Sequence, residues 1–258
     1  MRMTAADDVR VFFSMIELEI RRVMHDRTEI YARAVQPLLW LLIFGHVVGT
    51  LKAIPTGGTP YLDFIMPGVL IQSTMAVSIF FGLIIIWERE SGVLKRLMTT
   101  PAPRYAIVVG RSMAAGVRGL AQAAIIIPFA LLLGVPVILN PLTLLATLVI
   151  VFISSGGFAA VSIMIAALLK TRERFIGIGQ AVVLPLFFAS NALYPLSAMP
   201  PLLQAFALVN PMTYMVDAAR ALLITGDLAQ LPLDFAVIIV FDVFMFAAAS
   251  FTFKNVME

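Results

Sequence analysis

Residues 141–169 read PLTLLATLVIVFISSGGFAAVSIMIAALL, an uncharged run long enough to cross about 30 Å of hydrocarbon as a helix. Similarly apolar runs, each with one or two charges, occupy residues 35–53, 62–86, 106–134, 174–193 and 233–253. They are too long and too uniformly apolar for the alternating ten-residue strands of a membrane barrel. The expected fold is therefore an all-α polytopic membrane protein with six transmembrane helices. Composition agrees: 61% of the 258 residues are hydrophobic, 13% are charged and the mean hydropathy is +0.99, whereas soluble domains have about 45–50% apolar and about 25% charged residues. The spans leave little for a soluble domain, so residues 1–258 read as a single transmembrane domain. GVPVILNP joins the third and fourth spans, and its Asn140-Pro141 pair marks a tight turn. No internal repeat is visible.

The chain has no cysteine, which excludes a disulfide framework, a thiolate metal site and a thiol nucleophile. The first thirty residues carry charge throughout and lack a short apolar core followed by a small-residue cleavage site, so a removable signal peptide is not expected. Lys and Arg in short loops mark the cytoplasmic side. Fifteen of the eighteen basic residues fall before the first span, between spans two and three, between spans four and five, or in the carboxyl tail. Only Lys52 and Arg220 fall on the other side, and Arg118 lies within the third span. Both termini are therefore expected in the cytoplasm. The net charge of +3 calls for no nucleic acid, since basic residues bordering a membrane meet anionic headgroups.

Before the first span, residues 5–33 place Val9, Phe12, Phe13, Ile16, Ile20, Val23 and Met24 at helical spacing, the pattern of an amphipathic helix in the interface plane. Between spans two and three, residues 87–104 read WERESGVLKRLMTTPAPR. Acidic residues open this segment and basic ones follow, which suits a helix dipole, while Val93, Leu94, Leu97 and Met98 form an apolar patch and Pro101 and Pro103 stop it. A charged short helix with a greasy face suits docking on a soluble partner. On the residues alone, a solvated loop obeying the positive-inside rule fits as well.

Three stretches in register with the spans resemble the transmembrane permease subunits of type-2 ABC exporters. They are Tyr61-Leu62-Asp63-Phe64-Ile65-Met66-Pro67-Gly68, the segment from Trp87 to Arg104, and LYPLSAMPPLLQAFALVNPMTYMVDAARALL from Leu193 to Leu223. That resemblance implies that residues 5–33 form a connecting helix along the membrane, that 88–99 is a coupling helix against an ATPase subunit, and that 195–225 are re-entrant helices forming an extracellular lid. Glu88, Arg89, Glu90, Gly92, Leu94, Lys95, Arg96, Leu97 and Met98 are its expected coupling residues. The chain has no G-x-x-x-x-G-K-[ST] loop to cradle phosphates; Gly177-Ile178-Gly179 lies within a span and lacks the lysine. By resemblance, ATP and Mg are bound by a nucleotide-binding subunit dimer that partners two copies of this permease, or one copy and a related permease. The chain itself is then no enzyme and carries no cofactor.

In the lid, Asp217 and Arg220 stand three apart and are expected to pair. Arg118 and Asp242 lie within spans, where charge is costly and placed for a reason. Arg118 shares a helical stripe with Arg111 and Arg104, and snorkelling toward headgroups accounts for it. Asp242 is expected to be protonated, to bridge to Arg118, or to face a polar cavity. His46 reads as a hydrogen-bonded packing residue and Asp63 as the outer edge of the second span. A substrate path at a homodimer interface would be lined by Gln72, Ser73, Met75, Phe80, Phe81, Gln180, Phe187, Phe188 and Asn191, a mixture suited to an amphipathic drug, lipid or glycolipid. A proton-coupled carrier using Asp242 and Arg118, with His46, is the alternative. No H-E-x-x-H and no paired acidic cluster supports a catalytic centre.

Overall fold

The computed structural model describes residues 5–25, 27–52, 54–92, 104–169 and 171–253. These residues form helices and turns with no strand among them. The helices are α1 (Ala5–His25), α2 (Arg27–Leu39), α3 (Gly45–Leu51), α4 (Tyr61–Phe80), α5 (Gly82–Glu90), α6 (Arg104–Leu132), α7 (Pro141–Leu168), α8 (Arg172–Phe188), α9 (Pro201–Val209), α10 (Pro211–Arg220) and α11 (Leu231–Thr252). Among the described residues, five segments are long and apolar enough to cross a membrane: Ile30–Leu51, Tyr61–Glu90, Ile107–Leu132, Pro141–Leu168 and Leu231–Thr252. The expected span at 174–193 falls on the 17-residue α8, about 26 Å long at 1.5 Å per residue. It ends at Phe188 because the chain turns at Ala189, ahead of Tyr194 and Pro195.

Burial separates an inner pair from an outer set. In Tyr61–Glu90 and Pro141–Leu168, 72% and 67% of the most apolar window is buried inside the protein, against 17% for Leu231–Thr252. The outer helices leave Val240, Val243, Phe244 and Phe251 exposed, as a lipid-facing surface requires. Close helix contact is made by small residues, since lipid supplies no hydrophobic drive for helix pairing. A Cβ at Gly116 or Gly119 of α6 would overlap Phe152 or Ser155 of α7.

Asn140-Pro141 is more than a turn. The Asn140 side chain accepts from the Leu142 N–H at 2.9 Å and Pro141 takes the first helical position, where a missing N–H costs nothing. The same dipeptide starts α10, where Asn210 accepts from Met212 N at 3.0 Å and donates its amide to the carbonyls of Leu186 at 2.7 Å and Ala189 at 2.9 Å. That one side chain caps α10 and ties it to the end of α8.

The second span is broken. Phe81 separates α4 from α5, and the Gly82 N–H, instead of continuing the ladder, donates to Ser162 Oγ of α7 at 2.8 Å. The Ser162 hydroxyl in turn donates to the Ile79 carbonyl. A side chain inserted into the ladder is a recognised cause of a helix break.

Candidate functional site

Two polar clusters lie at opposite ends of Tyr61–Glu90, about 36 Å apart along the helix from Phe64 to Glu88. The first surrounds Glu88, Arg89 and Glu90. These residues do not open a separate helix, as the sequence suggested for 88–99, but form the last turn of the second span. The reason is Gly92, whose φ of +74° is a left-handed conformation that closes a helix and suits glycine; its N–H returns to the Arg89 carbonyl at 3.2 Å. Leu94, Lys95, Arg96, Leu97 and Met98 lie outside the described residues.

Each charge in that last turn is held by a different part of the chain. Glu88, buried, pairs with buried Arg111 of α6. Arg89 donates to the Leu169 carbonyl just after α7 at 2.7 Å. Glu90 pairs with Arg172 at the start of α8, whose guanidinium also lies 5.9 Å from the Trp87 ring. Arg22 of α1 stands 3.7 Å from both Glu88 and Glu19, and Glu19 pairs with Arg118. Arg118 also lies over the Phe81 ring at 5.7 Å. The end of the second span is thus fastened to α1, α6, the end of α7 and the start of α8.

Sequence reasoning passed over Glu19, Arg22 and Arg111 as functional residues. The inner face of α1 is Phe12, Met15, Ile16, Glu19 and Val23, whereas Phe13, Ile20 and Met24 of the expected apolar face are exposed. The available signal was an acid at a position spaced three and four from apolar neighbours. The Arg118–Asp242 bridge does not form, because Arg118 is turned toward α1 and Glu19. Asp242 packs against Gly157 of α7, where a Cβ would overlap its Oδ1, and neither carboxylate oxygen has a hydrogen-bond partner. His46 is exposed on the first span rather than packed.

The second cluster joins α10 to the start of α4. Arg220 Nη1 donates to Asp217 at 2.9 Å, and Nη2 donates to the Asn191 carbonyl at 2.9 Å and to the Phe64 carbonyl at 3.4 Å. The guanidinium lies 4.2 Å from the Phe64 ring centroid, within cation–π range. Asp217 also accepts from the Asn191 amide at 2.5 Å. Burial raises the Asp217 carboxyl above its ordinary range, against the lowering effect of the Arg220 charge and of its hydrogen bonds from Asn191 and Arg220. Asp63 is buried in the first turn of α4. Within 195–225, α10 is largely buried, while α9 turns Leu202, Phe206 and Val209 outward.

The nine residues expected along a substrate path are divided. Ser73, Met75, Phe81, Phe187 and Asn191 are buried within one chain, and Gln72 nearly so. Ser73 turns back to its own helix, donating to the Leu70 carbonyl at 2.8 Å, and Phe187 packs edge-on against Trp40. Phe80 is half-buried, and Gln180 and Phe188 lie exposed on α8.

A profile described as ABC-2 type transporter matches residues 10–224. The chain is 34% identical over 191 residues to "Putative transport permease ycf38" of Cyanophora paradoxa, covering 73% of this chain and 65% of that one. It is 26% identical over 189 residues to "Daunorubicin resistance ABC transporter permease protein DrrB1" of Streptomyces coeruleorubidus, covering 73% and 66% of the two chains. Similarity to "Inner membrane transport permease YadH" of Escherichia coli K12 is 26% over 218 residues, covering 80% and 79%.

Proposed function

The chain belongs to the ABC-2 type transporter family, and from that premise we propose that it is the permease subunit of an ATP-driven exporter. A separate nucleotide-binding subunit dimer binds ATP and Mg, two permease copies (or one copy and a related permease) enclose the path, and an amphipathic drug, lipid or glycolipid is moved out of the cytoplasm or inner leaflet of the cell membrane. Both termini and the segment 88–99 face the ATPase side, in accord with the distribution of basic residues.

The observation that supports this reading is the anchoring of Glu88, Arg89 and Glu90 to α1, α6, the end of α7 and the start of α8. A push delivered to the following residues would reach those elements through short polar contacts, because charged groups held by partners in several elements transmit displacement rather than absorb it. In the proposed assembly the exposed residues of α8, Gln180 and Phe188 among them, face the second copy, and the Asp217–Arg220 cluster holds the outer end closed.

The deciding experiment purifies the tagged chain from its native membrane in mild detergent and identifies co-purifying proteins by mass spectrometry. A stoichiometric P-loop ATPase is expected, lost on Leu94→Asp or Leu97→Asp while membrane insertion is retained. A chain that purifies alone, under conditions preserving other ABC complexes, overturns the reading. The proton-coupled alternative is favoured by one observation, the buried and unpartnered Asp242. It requires transport that survives ATP depletion, collapses with the proton gradient and is abolished by Asp242→Asn.

A further inference from the structure

A groove of about 880 Å³ opens between α1, α2, α5 and α6 beside the Glu88 cluster, within the 300–1,000 Å³ range typical of ligand sites. Among the described residues lining it, the guanidiniums of Arg21, Arg22, Arg33 and Arg118 face a single carboxylate, Glu88. The other side of the groove is apolar, formed by Leu18, Val77, Ile84 and Trp87.

Local acids leave donors on Arg21 and Arg22. Glu88 and Glu19 have Arg111 and Arg118 as their closer partners, so Arg22, at 3.7 Å from each and 42% exposed, retains donors for a ligand. Arg21 is joined to Glu17 at 2.8 Å, but that pair is exposed on both sides and therefore weak. The outward stripe of the same helix is Phe13, Ile20 and Met24, which sets α1 against lipid rather than water.

We propose that this groove binds an anionic phospholipid of the adjoining leaflet, with the phosphate on Arg21 and Arg22 and an acyl chain along Ile84 and Trp87. A basic pocket between helices at a membrane boundary recognises anionic headgroups by charge and holds the lipid by its chain. The apolar side distinguishes this ligand from a soluble anion, which would gain nothing from Val77, Ile84 or Trp87. The site stands on its own, whether or not the occupant is transported.

The chain has two tryptophans, so Trp40→Phe leaves Trp87, which lines the groove, as the single fluorophore. The full chain is placed in phosphatidylcholine nanodiscs with increasing fractions of dibrominated phosphatidylglycerol or dibrominated phosphatidylcholine, and quenching of Trp87 is read. Each arginine is worth about fivefold in headgroup preference. The glycerol lipid should therefore quench at a mole fraction at least about thirtyfold below that of the choline lipid. Arg21→Gln with Arg22→Gln should remove about thirtyfold of that preference, and Arg174→Gln, outside the groove, should leave it intact. If the double variant misfolds, Arg22→Gln alone should lose about fivefold. Equal quenching by both lipids, preference kept in the double variant, or equal loss with Arg174→Gln overturns the proposal. Protection of Trp87 by millimolar inorganic phosphate also overturns it, by making the groove a site for a free anion.

Discussion

Glu88→Gln keeps the size of the side chain and removes its charge, leaving Arg111 buried and uncompensated. The two side chains are 9% and 8% exposed, and breaking such a pair from one side costs about 3–5 kcal/mol. Arg22 stands 3.7 Å away and shares the cluster's charge, which places the expected loss near 3 kcal/mol. For a chain of this length that lowers the midpoint of thermal unfolding by roughly 6–12 °C. Arg111→Gln should lose a similar amount by leaving Glu88 with only the more distant Arg22. Glu88→Gln combined with Arg111→Gln removes both charges and should recover about 2 kcal/mol relative to the summed single losses. The assay is thermal unfolding of the four purified proteins in one detergent at one protein concentration. Single variants within 1 °C of the parent would show that no charge is stranded by either change. Strictly additive losses would show that Glu88 and Arg111 do not act as a pair, and the anchoring of the second span at its lower end would fall with them.

Ser162→Ala strips the break at Phe81 of both its bonds, leaving the Gly82 N–H and the Ile79 carbonyl without their partner. A loss of about 1–3 kcal/mol is expected, measured by unfolding in mixed micelles; an unchanged midpoint refutes the bonding. Gly157→Ala sets a methyl against Asp242 Oδ1 and the Phe241 ring and should cost about 1–3 kcal/mol, part of it restored by adding Asp242→Ala. Arg220→Met removes the ties to Asp217, Asn191 and Phe64. It should raise hydrogen exchange at α10 and the start of α4 more than at α6, whereas a uniform increase would mean a general loss of stability. Gly92→Val forces a branched residue into φ of +74° and should cost about 1–2 kcal/mol.

The long apolar runs made the helices readable, because spanning hydrocarbon demands a length and a composition that appear directly in the residues. Asn140-Pro141 marked a boundary for the same reason, since a cap is a local matter. The limits of legibility lie where tertiary contact decides. The end of the second span could not be placed from WERESGV, as its charges are compatible with helix or loop until Arg111, Arg172 and the Leu169 carbonyl are in position to hold them. The packed face of α1 was not assigned from sequence because in a membrane protein both faces of a helix carry apolar residues, and Glu19 rather than Phe13 identifies the packed one. For Arg118 a partner was sought in the other charge within a span, Asp242, although the amphipathic helix α1 supplied one in Glu19. The pairing of Asp217 with Arg220 is a three-residue spacing on one helix and was legible, whereas its extension to Phe64, 156 positions away, was not.

Ser162 gives the second span a different mechanical character from an ordinary kink. A proline kink is permanent, because the missing donor is covalent. Here the disrupted rung is bridged by one hydroxyl whose two bonds depend on a single χ1 angle, so one rotamer change on a neighbouring helix releases both at once without melting a turn. Gly82 to Glu90 are therefore positioned from α7 at their start by that hydroxyl and from α6 and α8 at their end by Glu88 and Glu90.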